Sequence, residues 1–199
     1  TPYINPPAIL EVALAELPYH CATASLGLGS TMLSAFSEPA FKKSKTALAV
    51  QQQWRELLPK DYSDSLVLTP FELSEQEWQQ RLSSAAFKVL RDEKTERPGS
   101  SALNEMHSKG IYACEGCDLP LFTSAMKFES GTGWPSFFTH IPGHLATKKD
   151  YKMIWPRTEY HCIRCGGHQG HVFDDGPKPT GQRWCNNGVA LKFVAMKPS

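Results

Sequence analysis

Apolar positions recur at helical spacing in one well-marked stretch of the chain. Trp78, Leu82 and the Ala85–Ala86 pair follow Ser74-Glu75-Gln76-Glu77, where Ser74 and Glu77 are spaced as a capping box. The pattern predicts a helix over 75–86, extending toward 90, with Trp78 on its core face. A shorter helix is expected over 45–58, stopped by Pro59, and Glu96-Arg97-Pro98-Gly99-Ser100 reads as a turn. From residue 110 the period changes. Short β-like runs cover Gly110 to Ala113, Leu121-Phe122, Met126 to Phe128, Lys152 to Trp155, Glu159 to Cys162, His171 to Phe173, Arg183 to Cys185 and Ala190 to Ala195. Gly, Pro and Asp clusters separate them at close intervals, and no strand–helix alternation intervenes. The expected fold is therefore mainly β and antiparallel, with a few peripheral helices.

Residues 1–65 have a different character. They are rich in Ala, Ser, Leu, Thr and Pro, without a long period, and are read as an N-terminal extension that is partly ordered at best, ahead of a domain over 66–199. The small, apolar stretch from Ala22 to Phe36 has its lysines (Lys42, Lys43, Lys45) after it, where a secretory signal would have them before. A cytoplasmic location is slightly favoured on this ground, with export or an organelle the alternative if the extension is a leader.

Composition narrows the classes. The 199 residues carry 21 Lys and Arg against 20 Asp and Glu, for a net charge of +1. Such balance offers no electrostatic footprint for nucleic acid or anionic lipid. No apolar run approaches the ~18 residues of a membrane span. No nucleic-acid or membrane partner is expected, and the chain is read as a monomer.

The six cysteines change the picture most. Cys114-Glu115-Gly116-Cys117 and Cys162-Ile163-Arg164-Cys165 are two C-x-x-C pairs, each able to bring two sulfurs to one ion from a single turn. Four thiolates suit a tetrahedral, structural zinc ion with Zn–S near ~2.3 Å and no open position. Disulfides, an iron–sulfur cluster and a redox C-x-x-C are the rival readings. Gly116 and Gly166-Gly167 fit the tight turns of such knuckles. The separation of the pairs exceeds that of a zinc ribbon, so the fold must bring them together.

Cys185 belongs to neither pair. In Arg183-Trp184-Cys185-Asn186-Asn187, extended backbone puts 183, 185 and 187 on one face, a cation and an amide beside a thiol. The cation favours thiolate, the nucleophilic form; a buried structural thiol is the alternative. His168 and His171 follow the second knuckle and are read as completing the zinc site, which four cysteines already fill, as structural histidines, or as proton donors to chemistry at Cys185. Trp134 and Phe137, in the glycine-punctuated Gly131-Thr132-Gly133-Trp134-Pro135-Ser136-Phe137-Phe138, either cap the core or line a small apolar pocket for a methyl or thioether group.

Taken together, Gly133-Trp134-Pro135-Ser136-Phe137, His168 through Pro177, Pro179-Thr180-Gly181 and Arg183 through Asn187, with the two knuckles, resemble the peptide methionine-R-sulfoxide reductase family over about residues 71–196. The resemblance implies two antiparallel sheets, a zinc site at Cys114, Cys117, Cys162 and Cys165, and thiol-dependent reduction of methionine-R-sulfoxide, free or in oxidised proteins. It implies Cys185 as nucleophile, Trp134 as the wall that receives the methyl group, His168, His171 and Asn187 around the sulfoxide oxygen, and Arg183 assisting the thiolate. Thioredoxin or another thiol would regenerate the enzyme.

The chain departs from the pattern at Thr132, where many members carry a recycling cysteine, and leaves Cys21 as the internal candidate for that role. Trp184 and Gly188 also replace residues common in the family, a Tyr and a Ser, without removing a chemical role. The rival from another class is a zinc-ribbon-like protein-binding module without catalysis.

Overall fold

The computed structural model describes residues 47–57, 69–151 and 156–196. All of them fall in the compact unit that begins at Lys42. The expected strand over Lys152–Trp155 lies outside the described residues, as does Cys21.

Among the described residues nine strands form two antiparallel sheets. β1 (Gly110–Cys114), β2 (Pro120–Thr123) and β9 (Leu191–Ala195) make a three-stranded sheet in the order β2-β1-β9. β3 (Lys127–Phe128), β4 (Ser136–Phe137), β5 (Leu145–Asp150), β6 (Arg157–Cys162), β7 (His168–Phe173) and β8 (Arg183–Asn186) make a six-stranded sheet in the order β3-β4-β8-β7-β6-β5. Aromatic side chains join the sheets: Phe137 of β4 stacks on Phe122 of β2 at 4.0 Å and meets Tyr112 of β1 edge-on at 5.0 Å. Tyr160 and Trp184 extend this layer, with ring centroids 5.0 Å apart.

Among the described residues three short α-helices lie outside the sheets: α1 (Ala47–Gln52), α2 (Glu75–Arg81) and α3 (Ser84–Leu90). The capping box at Ser74 forms as expected, with the Ser74 amide donating to Glu77 Oε2 at 2.8 Å. The single helix expected over 75–86 is instead two. Leu82 is extended (φ −101°, ψ 148°), and Ser83 starts a new helix by accepting from the Ala86 amide at 3.1 Å. The periodicity continues across the break because Leu82 is still buried; the Ser83 hydroxyl competes with the helix ladder and wins.

The short N-terminal helix forms as well, continued by a 3₁₀ turn at Gln53–Leu57. It lies within the stretch read as an extension, yet it is packed. Val50 and Trp54 are buried, Trp54 meets the His144 ring edge-on at 4.9 Å, and Gln51 Nε2 donates to Thr139 Oγ1 at 2.7 Å.

Two strands, β4 and β5, had no apolar run to announce them. β5 is a charged edge strand, Leu-Ala-Thr-Lys-Lys-Asp, exposed along most of its length. Edge strands commonly carry lysine because it discourages further pairing. Among the described residues no helix is long and apolar enough to cross a membrane.

Candidate active site and cysteine cluster

The two knuckles meet as their spacing demanded. The four sulfurs of Cys114, Cys117, Cys162 and Cys165 lie within 4.8 Å of one another, with Cys114–Cys165 at 3.7 Å and Cys117–Cys162 at 3.5 Å. Tetrahedral zinc with ~2.3 Å bonds would separate its sulfurs by about 3.8 Å, whereas a disulfide holds them near ~2.05 Å. The cluster fits a metal ion, and none of the five described cysteines is in a disulfide.

The knuckles share one geometry. In each, the residue after the second cysteine turns left-handed: Gly166 at φ +68° and Asp118 at φ +67°. Gly116 was expected to serve such a turn, but its φ is ordinary, and a Cβ there would only touch the Trp78 ring at contact distance, 3.4 Å. Three arginines bind knuckle carbonyls: Arg81 on Gly116 (2.6 Å), Arg164 on Cys117 (2.6 Å) and Arg91 on Cys165 (3.0 Å). Their charge opposes that of four thiolates.

Cys185 sits in β8, paired in register with His171 of β7 and Ser136 of β4. It opens on a cavity of about 120 Å³ that Trp134, Phe173, His171, Arg157, Asn187 and Thr95 also line. Gly170 lies directly beneath, and a Cβ there would fall 1.9 Å from the Cys185 carbonyl oxygen. Only glycine permits this approach of the two strands.

Burial pushes the Cys185 thiol above its ordinary value. Arg183 favours the thiolate, as expected of a neighbouring cation, and with the hydroxyl of Thr132 it pulls the thiol down without prevailing over burial. Arg183 is fixed by two bonds to Asp175 (2.8 and 2.9 Å) and lies over the Phe173 ring at 4.3 Å.

The other sequence candidates separate into two groups. Trp134, His171 and Asn187 face the cavity with Cys185. Phe137 does not: it is fully buried between the sheets, and Phe173 provides the apolar wall in its place. His168 is also behind the cavity, 1% exposed, its ring 5.5 Å from that of His171. Burial drives its pKa down to about 4. His171 Nε2 is 2.9 Å from Asp150 Oδ2, and Asp150 is bound by Arg157 at 2.7 Å. Burial lowers the His171 pKa against the Asp150 bond, which raises it.

Asn187 is held at both ends of its amide: Nδ2 donates to the Gln169 carbonyl at 2.9 Å, and Oδ1 accepts from the Glu96 amide at 3.0 Å. The Glu96 carbonyl in turn accepts from Trp134 Nε1 at 3.3 Å. Gln169 also joins the two sites. Its Nε2 donates to Cys114 Sγ at 3.4 Å while its Oε1 accepts from Asn186 at 3.3 Å.

Residues 82–195 match the SelR domain family. The chain is 49% identical to peptide methionine sulfoxide reductase MsrB of Methanosarcina barkeri over 123 residues, 61% of this chain and 87% of that protein. The chain belongs to the peptide methionine sulfoxide reductase B family. It is also 46% identical to the chloroplastic peptide methionine sulfoxide reductase B1 of Arabidopsis thaliana over 126 residues, 63% of this chain and 62% of that longer protein. A solved Mis18 'Yippee-like' domain aligns at a TM-score of 0.37 and 13% identity over 45% of this chain and 99% of its own, too slight a likeness to bear on function.

Within this family setting, Phe173, Asp150, Arg157 and Glu96 are the site residues that sequence reading missed. Phe173 was within reach, since 171 and 173 share a face of one strand. Asp150 ends a polar edge strand and Glu96 lies in a loop, so neither carried a signal.

Proposed function

We propose that this chain reduces methionine-R-sulfoxide, free or in oxidised proteins, to methionine at Cys185. The observation that carries the reading is the cavity itself, which gathers one unpaired thiol, two aromatic walls and an imidazole anchored by a carboxylate. The Cys185 thiolate attacks the electrophilic sulfoxide sulfur. The S–O bond breaks, the oxygen ends on Cys185 as a sulfenic acid, and the two electrons gained by the substrate sulfur are those lost by Cys185. The oxygen accepts a proton as the bond breaks.

Trp134 and Phe173 receive the apolar methyl end of the substrate. His171, oriented by Asp150, delivers the proton, and the cavity favours it over His168, which sits behind it. Arg183 and Thr132 stabilise the thiolate against burial. Asn187 supplies the remaining amide hydrogen beside the oxygen. An external dithiol, thioredoxin or a small molecule, then attacks the sulfenic acid, forming a mixed disulfide with Cys185 and releasing water; its second thiol breaks that bond, leaving the reductant as a disulfide and Cys185 as thiol.

Zinc is the ion best suited to the four cysteines. Cys114, Cys117, Cys162 and Cys165 would hold it with four protein ligands and no open position, so it would cross-link the two knuckles and stand outside the reaction. The name of the chloroplastic relative supports reading part of residues 1–65 as an organelle leader. The zinc-ribbon-like binding module is not favoured, because it gives no reason for a polar set converging on a lone thiol.

The test is reduction of each sulfoxide epimer with dithiothreitol by the wild type and by Cys185→Ser. Turnover of the R epimer alone is expected, lost in Cys185→Ser with metal content unchanged. A Cys185→Ser protein with wild-type turnover would remove the mechanism.

A further inference from the structure

Behind His171, a second group of side chains converges without a stated role. β6 contributes Glu159 and His161, which share a face, and β7 contributes His168, brought alongside by a register irregularity at Tyr160/His161 that pairs His161 with His168. Glu159 is 2% exposed and His168 1%, both far below what an unpaired polar side chain tolerates.

The distances invite a hydrogen-bond reading that the directions refuse. Glu159 Oε1 lies 2.5 Å from His168 Nδ1 and 2.9 Å from His161 Nε2. Yet Glu159 Oε1, His161 Nε2 and both ring nitrogens of His168 have no hydrogen-bond partner among the described residues, because neither imidazole directs its N–H at the oxygen. Three groups able to ligate one metal ion thus face one another around a common point, a set that a cation at its centre would complete.

We propose that Glu159, His161 and His168 form a second metal site, separate from the four cysteines, for one divalent transition-metal ion. Two imidazoles and a carboxylate are the donor set of a borderline cation such as zinc(II). The ligand atoms lie within 4.8 Å of one another, as one ion requires. Glu93, whose Oε1 is 3.7 Å from His161 Nε2, stands at the solvent side with Lys148. Lys148 Nζ lies 2.6 Å from that Glu93 oxygen and 3.6 Å from the outer oxygen of Glu159, so an entering ion competes with an ammonium group. The site is therefore filled reversibly, according to the free metal concentration. Occupancy pins His168 behind His171 and carries the positive charge of the ion close to the imidazole that must hold and release a proton. The filled site inhibits the reductase; that last step rests on the function proposed above, whereas the binding does not.

The experiment takes the full chain with its cysteine cluster already loaded with zinc, and counts metal bound on titration with further zinc(II) and, separately, cobalt(II). The wild type is expected to take up one additional equivalent, and the added cobalt to show ligand-field bands without the thiolate charge-transfer band that a sulfur site gives. Cys185→Ser keeps this equivalent, which separates the site from the active-site thiol. His161→Ala lacks it, while retaining wild-type turnover in a metal chelator and escaping the loss of at least tenfold that saturating zinc imposes on the wild type. Absence of the extra equivalent in the wild type, or its persistence in His161→Ala, overturns the proposal whatever the activity. Binding without inhibition overturns the regulatory step alone.

Discussion

Replacing Arg183 by Met tests how the site makes a nucleophile of a buried thiol. Arg183 and Cys185 lie two residues apart on β8, so their side chains share a face at a backbone separation of about 6.6 Å. A unit charge at roughly 6 Å contributes about 0.7 kcal/mol if water screens the pair fully and about 2.8 kcal/mol at an effective dielectric constant of 20. At 1.36 kcal/mol per tenfold, removing the guanidinium disfavours the thiolate by about 3- to 100-fold and so raises the Cys185 pKa. The upper half of that range is expected, because Arg183 is itself buried and held by Asp175 and Phe173. Burial already holds the thiol above its ordinary value, so at neutral pH the thiolate fraction falls in proportion, about 3- to 100-fold. The rate of iodoacetamide alkylation of Cys185 as a function of pH, in metal-loaded protein whose other described thiols are ligated, reads this pKa. Asp175→Asn moves it the other way, since that carboxylate opposes the thiolate. An alkylation pKa in Arg183→Met equal to or below that of the wild type would refute the reasoning and leave Arg183 a structural residue.

Cys114→Ser is expected to lose the bound metal and destabilise the fold by about 4 kcal/mol, roughly 8–16 °C in Tm, measured by metal analysis and thermal unfolding; a metal-free variant with wild-type Tm would show that the cluster is not a structural cross-link. His171→Ala should lower turnover by about 10²–10⁴ while leaving alkylation of Cys185 intact, and a larger loss in His168→Ala than in His171→Ala would reverse the assignment of the donor. Thiol counting after one equivalent of substrate decides recycling: Thr132 beside Cys185 supplies a hydroxyl and no second thiol, so loss of one thiol marks external reduction, and loss of two in the wild type but one in Cys21→Ser marks Cys21 as the internal partner.

The parts of this molecule that were legible in its sequence are those specified by local chemistry. The C-x-x-C pairs, the capping box at Ser74 and the run from Arg183 to Asn187 each carry their reason within a few residues. What could not be read depends on partners distant in the chain. Phe137 and Phe173 are both aromatic residues in short strands; which one faces the cavity is decided by the pairing of β4 with β8 and of β7 with β8. The balance at Cys185 was legible only in part: the pull of Arg183 toward thiolate is local and was read, whereas the opposing burial is set by both sheets. β5 shows the same limit: a strand that touches the core through Leu145 alone and buries only the polar Asp150 at its far end has no hydrophobic alternation to reveal it.

Gln169 has a consequence for descent. Fully buried, it donates to a cysteine sulfur and so tolerates its position only while that acceptor exists. A lineage that discarded the four cysteines would strand the amide N–H at a cost of about 1–3 kcal/mol, on top of losing the metal. Exchange of Gln169 for an apolar residue carries no such dependence and can precede the loss. The order of events is therefore asymmetric: among descendants of such a chain, an apolar residue at this position with the cysteines present is an accessible ancestor of the metal-free form, and glutamine without the cysteines is a dead end.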